Sequence, residues 1–368
     1  MKIIIVGGGP SGSSTASSIL AHSEAKVTIY TKNITMEPTR CGGAVNRFLG
    51  GKDFPSIPKN LIGSSIQKER LYSPDSNFVE VDSRTFGWKS LGFILHRNMF
   101  DRWLLNRAVK KGAEVIEEKV TLKKLKGLDY DVLVGADGVN STVAKYVGRP
   151  NLNKDLHHGI QITVDWSYPR NMVSFYFGSK VFPEGYGWVF PCGEKTRIGL
   201  IVPLSNRLNL KKLLDRFLQQ IGAPNEGELI SKLIPMSKPQ KTGVYGKTLL
   251  VGDTLPSCDP LWGEGIINAV KTGSMAGRAI AENKLRNYDV YLKSLLKENN
   301  LRYTLKNILY RLSDVELNKV IPALRTIQIQ SVNTKVETLR VVSHLFLRQP
   351  RLMIKSLFTF FGGGLLES

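Results

Sequence analysis

Apolar residues fall along the chain in three distinct spacings. Short, largely unbroken runs come first: Ile3-Ile4-Ile5-Val6, Val27-Thr28-Ile29-Tyr30, Val132-Leu133-Val134 and Leu249-Leu250-Val251. Runs of this length that lack alternation are expected of strands covered on both faces of a parallel sheet. A second group has helical spacing. Phe100, Trp103, Leu104 and Ala108 share one face, and Ile266, Val270, Gly273, Gly277 and Ile280 share another. The third pattern is a strand-rich block, with strands predicted over 160–167, 172–177, 186–190 and 197–202. Within it, Tyr186, Trp188 and Phe190 alternate, which places three aromatic side chains on one face of a strand. Such a stripe is ordinary sheet core or the wall of a long apolar pocket.

The turn after the first run is Gly7-Gly8-Gly9-Pro10-Ser11-Gly12, a G-x-G-x-x-G spacing between a predicted strand and a predicted helix. Gly7 permits the tight turn, Gly9 lets the backbone approach a pyrophosphate, and Gly12 permits close packing of the helix on the sheet. Pro10 suits the first helical turn, where its missing N–H is not needed. Residues Ser11 to Ser18 are nearly all small, and the helix N-terminus turns its free N–H groups toward the phosphates. The second strand usually ends such a unit with an acidic residue that holds a ribose hydroxyl. Here Thr31 stands there, followed by Lys32, so a bidentate carboxylate is lost and a 2′-phosphate near Lys32 stays open.

Charge narrows the partners. The 368 residues carry 51 Lys and Arg against 31 Asp and Glu, a formal net charge of +20. That surplus favours a phosphorylated substrate or an acidic membrane surface. With no zinc-ligand spacing and no basic stripe interleaved with aromatics, a nucleic-acid partner is excluded, and no metal is expected. Three cysteines, Cys41, Cys192 and Cys258, do not make a disulfide framework, so a reducing, cytoplasmic setting is expected. The opening strand leaves no room for a signal peptide, and the apolar stretch Leu352 to Leu366 is interrupted and short of the ~20 residues that cross a bilayer.

Three later segments decide the cofactor. Arg97 opens a predicted helix and looks like the arginine that touches the cofactor in flavoproteins. Asp131 to Ser141, with Asp137-Gly138 at its turn, closely resembles the second fingerprint of flavoprotein hydroxylases, where the Asp-Gly pair lies near the pyrophosphate. Leu249-Leu250-Val251-Gly252-Asp253 ends in an aspartate that matches the carboxylate holding the ribityl chain of FAD. Beyond it, Gly263-Glu264-Gly265-Ile266 opens a helix whose N–H groups at Gly265 and Ile266 would point at the flavin pyrimidine edge. FAD is therefore expected in place of NADP, and no second G-x-G-x-x-G marks a nicotinamide domain.

Two more segments carry a closer resemblance. Pro38-Thr39-Arg40-Cys41-Gly42-Gly43-Ala44 is similar to the Cys-Gly segment of the geranylgeranyl reductase family, which lies beside the flavin. Tyr186-Gly187-Trp188-Val189-Phe190-Pro191 matches that family's Tyr-x-Trp-x-Phe-Pro motif, although Cys192 stands where a basic residue commonly follows. The resemblance covers roughly residues 1 to 285. It implies an FAD-dependent reductase that saturates C=C bonds of polyprenyl chains, carried on a lipid or a diphosphate, with NAD(P)H or a ferredoxin-like carrier as electron donor. It implies a cofactor site of Gly7, Gly9, Ser11, Gly12, Thr31, Arg40, Cys41, Gly42, Ala44, Arg97, Val120, Asp137, Gly138, Asp253, Gly265 and Ile266. Tyr186, Trp188, Phe190 and Pro191 would line the prenyl cavity. Cys41 is the expected reactive or proton-handling group, because Arg40 beside it would lower its pKa; inert packing is the plainer role for such a thiol.

The expected architecture is α/β. An FAD-binding Rossmann-like domain of the glutathione-reductase and p-hydroxybenzoate-hydroxylase type spans 1–60, 97–150 and 245–284. An antiparallel substrate sheet is inserted as 61–96 and 151–244, and a helical segment covers 285–368. From residue 284 onward there are 14 Lys and Arg against 6 Asp and Glu, with Val336, Leu339, Val342 and Leu345-Phe346 at helical spacing and a Leu- and Phe-rich stretch over 352–361. That segment is a helical cap or a basic amphipathic surface resting on an acidic membrane. A prenyl-quinone side-chain reductase is the neighbouring alternative. An FAD monooxygenase or halogenase would share the three FAD segments, but Tyr186 argues against halogenation and the Cys41 segment against a monooxygenase. A non-catalytic flavin or prenyl-lipid carrier is the reading from another class.

Overall fold

A computed structural model describes residues 1–35, 41–46, 54–149 and 155–324. The elements, in chain order, begin with β1 (Lys2–Val6), α1 (Pro10–Ile19), β2 (Lys26–Thr31), β3 (Ala44–Asn46), β4 (Ile62–Ile66), β5 (Lys68–Tyr72), β6 (Phe78–Asp82) and β7 (Gly92–Leu95). They continue with α2 (Arg97–Lys110), β8 (Glu114–Glu117), α3 (Leu122–Lys126), β9 (Val132–Gly135), α4 (Thr142–Tyr146), β10 (Leu156–Val164), β11 (Met172–Tyr176), β12 (Tyr186–Cys192) and β13 (Lys195–Pro203). The last are α5 (Leu210–Ile221), β14 (Glu228–Pro235), β15 (Val244–Tyr245), β16 (Thr248–Leu250), α6 (Ile266–Ala281), α7 (Asn287–Leu309) and α8 (Asp314–Ala323).

The short apolar runs build one sheet, ordered β15-β16-β9-β1-β2-β8, parallel except for the β15–β16 hairpin. Ile3, Ile5, Ile29, Leu133, Val134, Leu249 and Leu250 in it are almost wholly inaccessible. The small residues of α1 have a different use from the expected helix–sheet contact alone. A Cβ on Gly273 of α6 would come within 2.3 Å of the Ser11 carbonyl oxygen, and one on Gly277 within 2.5 Å of Ser18 Cβ. The two helices therefore cross backbone to backbone, and Ser18 Oγ donates to the Ser274 carbonyl at 3.0 Å. Small residues on both helices are what such a close crossing requires.

The strand-rich block forms a seven-stranded sheet ordered β14-β10-β13-β12-β11-β5-β6. The expected antiparallel sheet is corrected at one seam: β5 runs parallel to β11, pairing Glu69 with Val173 and Leu71 with Phe175. A parallel neighbour needs a long connection, and about a hundred residues of chain separate these strands. The first expected strand, 160–167, is also shifted and runs Leu156–Val164. One face of this sheet packs on α5 through Val189, Ile198, Leu200 and Phe217. The opposite face carries Phe175, Tyr186, Trp188 and Phe190 against Trp262, Tyr310 and α8. A third, small sheet, β3-β7-β4, lies beside α2 and the start of α6. The C-terminal positions singled out above, from Val336 to Phe361, lie outside the described residues, as does Arg40.

Candidate active site

Two turns of the six-stranded sheet are built from glycines of two kinds, closed and open. Gly7 has φ +112°, and a Cβ there would sit 2.1 Å from the Ala136 carbonyl oxygen. One on Gly12 would sit 1.9 Å from Gly7's own oxygen. Gly9 is the opposite: nothing lies within 4 Å of a Cβ built there, and no side chain caps α1, so its N-terminus faces open space. Gly138, at φ +82°, is equally open, and its N–H is held by Thr254 Oγ1 at 2.9 Å. Asp137 holds the turn from below. Its carboxylate accepts from Ser141 Oγ and from the Thr142 N–H at 2.6 Å, capping α4. Two open glycine backbones flanking a free helix N-terminus fit a pyrophosphate. Thr31 is buried at the end of β2 and donates to the Asn33 carbonyl at 3.3 Å, so its hydroxyl is partly spent locally. Val120 is buried in the core beneath this region.

A second group gathers where the two large sheets meet. Cys41 precedes β3, on a loop clamped from the seven-stranded sheet: Arg197 Nη1 donates to the Gly42 carbonyl at 2.9 Å and the Leu95 carbonyl at 3.1 Å. A Cβ on Gly42 would press on the Phe190 ring at 3.2 Å, so this loop rests directly on the aromatic stripe. Ala44 opens β3 behind it. Arg97, at the start of α2, forks onto Asp101 with bonds of 3.0 and 2.9 Å and also hydrogen-bonds the Cys41 side chain. Across the hollow, Lys232 of β14 pairs with Asp253 at 3.3 Å. Burial opposes ionisation of the Cys41 thiol, but Arg97, then Lys232 and the Gly43 N–H, outweigh it and hold the thiol below its ordinary value.

Gly265 and Ile266 begin α6 as expected, and a Cβ on Gly265 would lie 3.3 Å from an Asp253 carboxylate oxygen. Asp253 and the α6 N-terminus therefore share one corner. The aromatic stripe is fixed by its own polar contacts. Tyr186 donates its hydroxyl to the Trp262 carbonyl, Trp188 Nε1 donates to Gln161 Oε1 at 3.3 Å, and Pro191 is buried at the end of the stripe. Trp188 lies flat over Gly199, where a Cβ would meet its ring at 2.4 Å. Cys192 faces His96, with its sulfur 3.8 Å from Nδ1.

The structure thus brings Cys41 within electrostatic reach of Arg97 and Lys232, sets Asp253 beside Lys232 and Gly265, and rests the Cys41 loop on Phe190 of the aromatic stripe. Sequence reading missed Lys232, Arg197, Gln161 and Glu69. Each reaches the hollow through strand pairing across the seven-stranded sheet and carries no local motif.

A glycine-lined pyrophosphate cradle leading to a helix N-terminus and an aspartate defines an FAD-dependent oxidoreductase. Comparison with known proteins makes the class specific. Residues 155–235 match the model of the geranylgeranyl reductase catalytic domain. The digeranylgeranylglycerophospholipid reductase of Methanosarcina acetivorans is 30% identical over 373 residues, covering 90% of each chain. That of Methanocella arvoryzae is 29% identical, over 95% of this chain and 97% of its own. This chain belongs to the geranylgeranyl reductase family. A geranylgeranyl bacteriochlorophyll reductase-like protein from Thermoplasma acidophilum shares the fold, with a TM-score of 0.83 at 23% identity over 96% of this chain and 98% of its own. HpxO of Klebsiella pneumoniae, complexed with FAD and uric acid, shares it more distantly, at 0.64 and 15% over 94% and 97%.

Proposed function

We propose that this protein saturates the double bonds of geranylgeranyl chains on an ether phospholipid of archaeal type. The observation that carries the reading is the meeting of the Cys41 loop with the Tyr186–Phe190 stripe, within a chain similar over its length to digeranylgeranylglycerophospholipid reductases. Reduced FAD supplies a hydride. The protein's own residues must hold an isolated alkene against it, exclude water, and provide a proton for the second carbon. The stripe and Trp262 give an apolar wall, on which Gln161 is occupied by Trp188. Gly7, Gly9, Ser11, Gly12, Gly138, Asp253, Gly265 and Ile266 hold the cofactor. Arg97 holds Cys41 where its loop meets the aromatic stripe, and the thiol is the reactive group of that loop.

The net charge of +20 suits an anionic headgroup and peripheral contact with an acidic membrane. Among the described residues no helix is long and apolar enough to cross one. Electrons reach the flavin from NAD(P)H or a ferredoxin-like carrier.

The test is to reduce the bound flavin with dithionite without oxygen and offer geranylgeranyl diphosphate and a geranylgeranyl ether phospholipid separately. Mass spectrometry should find two hydrogens gained for each double bond, with the phospholipid preferred. Unchanged lipids would sink the reading. Cys41→Ala should slow saturation while leaving flavin content intact, and full turnover in that variant would remove Cys41 from the chemistry.

A further inference from the structure

Saturating an isolated alkene needs an acid as well as a hydride donor, and the turn that enters α6 carries a carboxyl within electrostatic reach of Cys41 and Tyr186. Glu264 stands at the turn that enters α6, between two glycines facing opposite ways. A Cβ on Gly263 would meet Ile234, Met236 and Ile201, on the apolar face of the seven-stranded sheet; one on Gly265 would meet Asp253 and Cys258, on the cofactor side. Glu264 therefore lies between a glycine that faces the seven-stranded sheet and one that faces Asp253. The turn is rigid. The Asp259 N–H donates to the Glu264 carbonyl and the Gly263 N–H to the Asp259 carbonyl, both at 2.8 Å. Asp259 is itself paired with Arg302 of α7, and Asn299 of the same helix donates to the Ser257 and Cys258 carbonyls.

No hydrogen bond reaches the Glu264 carboxyl among the described residues. The charged and titratable groups facing it come from every element around it: Asp259 in its own turn, Arg302 of α7, Glu69 of β5, Cys41 before β3, and Tyr186 of β12. Glu69 is a second carboxyl without a hydrogen-bond partner among the described residues. It shares the aromatic face of the sheet because it pairs with Val173 in register. We propose that Glu264 is the proton donor for alkene saturation, an assignment that rests on the reading of this site as a C=C reductase. Its O–H bond breaks and the proton takes the alkene π pair to form one C–H bond. The hydride of the family's reaction forms the other, and solvent returns a proton to the carboxylate.

The other groups in the hollow are poorer donors. Arg97, Lys232 and the Gly43 N–H hold the Cys41 thiol below its ordinary value by stabilising its deprotonated form. Tyr186 has committed its O–H to the Trp262 carbonyl, and burial pushes its pKa well above the ordinary value. Glu264 is pushed the useful way: burial first, then Asp259, with Glu69 and Cys41 adding to them against Arg302, raise it to about 8. Paired groups driven apart in this manner mark which one carries the proton. Glu69, raised by burial to about 7, adds to the upward push on Glu264 when it is ionised.

The experiment compares wild type with Glu264→Gln and Glu69→Gln. Infrared titration needs no turnover. It should show a protonated-carboxyl band that disappears near pH 8, is absent in Glu264→Gln, and titrates at lower pH in Glu69→Gln, where a neighbouring negative charge is gone. Saturation by the pre-reduced protein should fall at least about a hundredfold in Glu264→Gln, the range of a lost general acid, with flavin content unchanged. Wild-type saturation should also decline as pH rises through 8. Saturation at the wild-type rate in Glu264→Gln, or an unaltered carboxyl band in that variant, overturns the assignment and leaves the reductase reading standing. Wild type that saturates no prenyl lipid defeats the reading itself.

Discussion

The six-stranded sheet meets its neighbours through close-packed backbone, whereas the seven-stranded sheet presents bulky side chains. On the first, the decisive positions are glycines whose Cβ would collide with a neighbouring carbonyl, as at Gly7 and Gly12, or would stand in open space, as at Gly9 and Gly138. On the second, the decisive positions are Tyr186, Trp188, Phe190, Glu69, Arg197 and Lys232, each delivered by strand register. A pyrophosphate is recognised by N–H groups and a helix end, so bulk must be kept away. A prenyl chain offers only apolar surface, so the wall facing it must be bulky and dry.

The comparison yields tests that fall in size from the first sheet to the periphery of the second. Gly12→Val should have the largest effect. Its Cβ would lie 1.9 Å from a backbone oxygen that has nowhere to go, so loss of more than about 3 kcal/mol is expected, with no flavin in the purified protein. Normal flavin content in that variant would refute the close-approach account. Trp188→Ala should cost about 3–5 kcal/mol in chemical denaturation, since nothing else fills the space over Gly199. It should nevertheless retain flavin, which separates a prenyl-wall residue from a cradle residue.

His157 tests the buried rim of the same sheet. Burial, then Lys306, depress its pKa to about 3. Between the ordinary value and that one, the unfolded chain binds a proton that the folded chain refuses. Stability must therefore fall as pH drops below about 6.5, by roughly 3 kcal/mol at about pH 4. His157→Asn should flatten that slope, and an equal slope in the variant would exclude His157 as its source. Lys232→Met should be the mildest. Its partly exposed pair with Asp253 is worth less than about 1 kcal/mol, but loss of its charge should raise the pH midpoint for Cys41 alkylation. An unmoved midpoint would mean that Arg97 alone tunes the thiol.

Legibility in the sequence follows the same division. The glycine turns are local: a strand, a turn and a helix start lie within a dozen residues, so the close backbone approach at Gly7 and Gly12 and the start of α6 at Gly265-Ile266 could be read directly. Tyr186, Trp188 and Phe190 were legible because alternation alone sets a shared face. Which face that is, and what lies opposite, was not. Glu69 reaches the aromatic wall only because β5 joins β11 in parallel, and a strand's neighbour is not encoded in its own residues. Lys232 looked like one basic residue among many until β14 placed it opposite Asp253. The small residues of α1 were visible, but their partner, α6, lies some 260 residues away along the chain. Glu264 stood inside a recognised motif and was passed over, since its character comes from burial beside Asp259 and Glu69.

The account's central claim is that this hollow reduces an alkene, although its fold is shared with flavoproteins of other activities. The most direct test is a single turnover without oxygen. Protein with fully reduced flavin is mixed with a geranylgeranyl ether phospholipid, and the oxidised flavin band is followed alongside the mass of the lipid. The account predicts that the band returns in step with saturation of the chain. Reoxidation that occurs only when oxygen is admitted, with every double bond left intact, would contradict it.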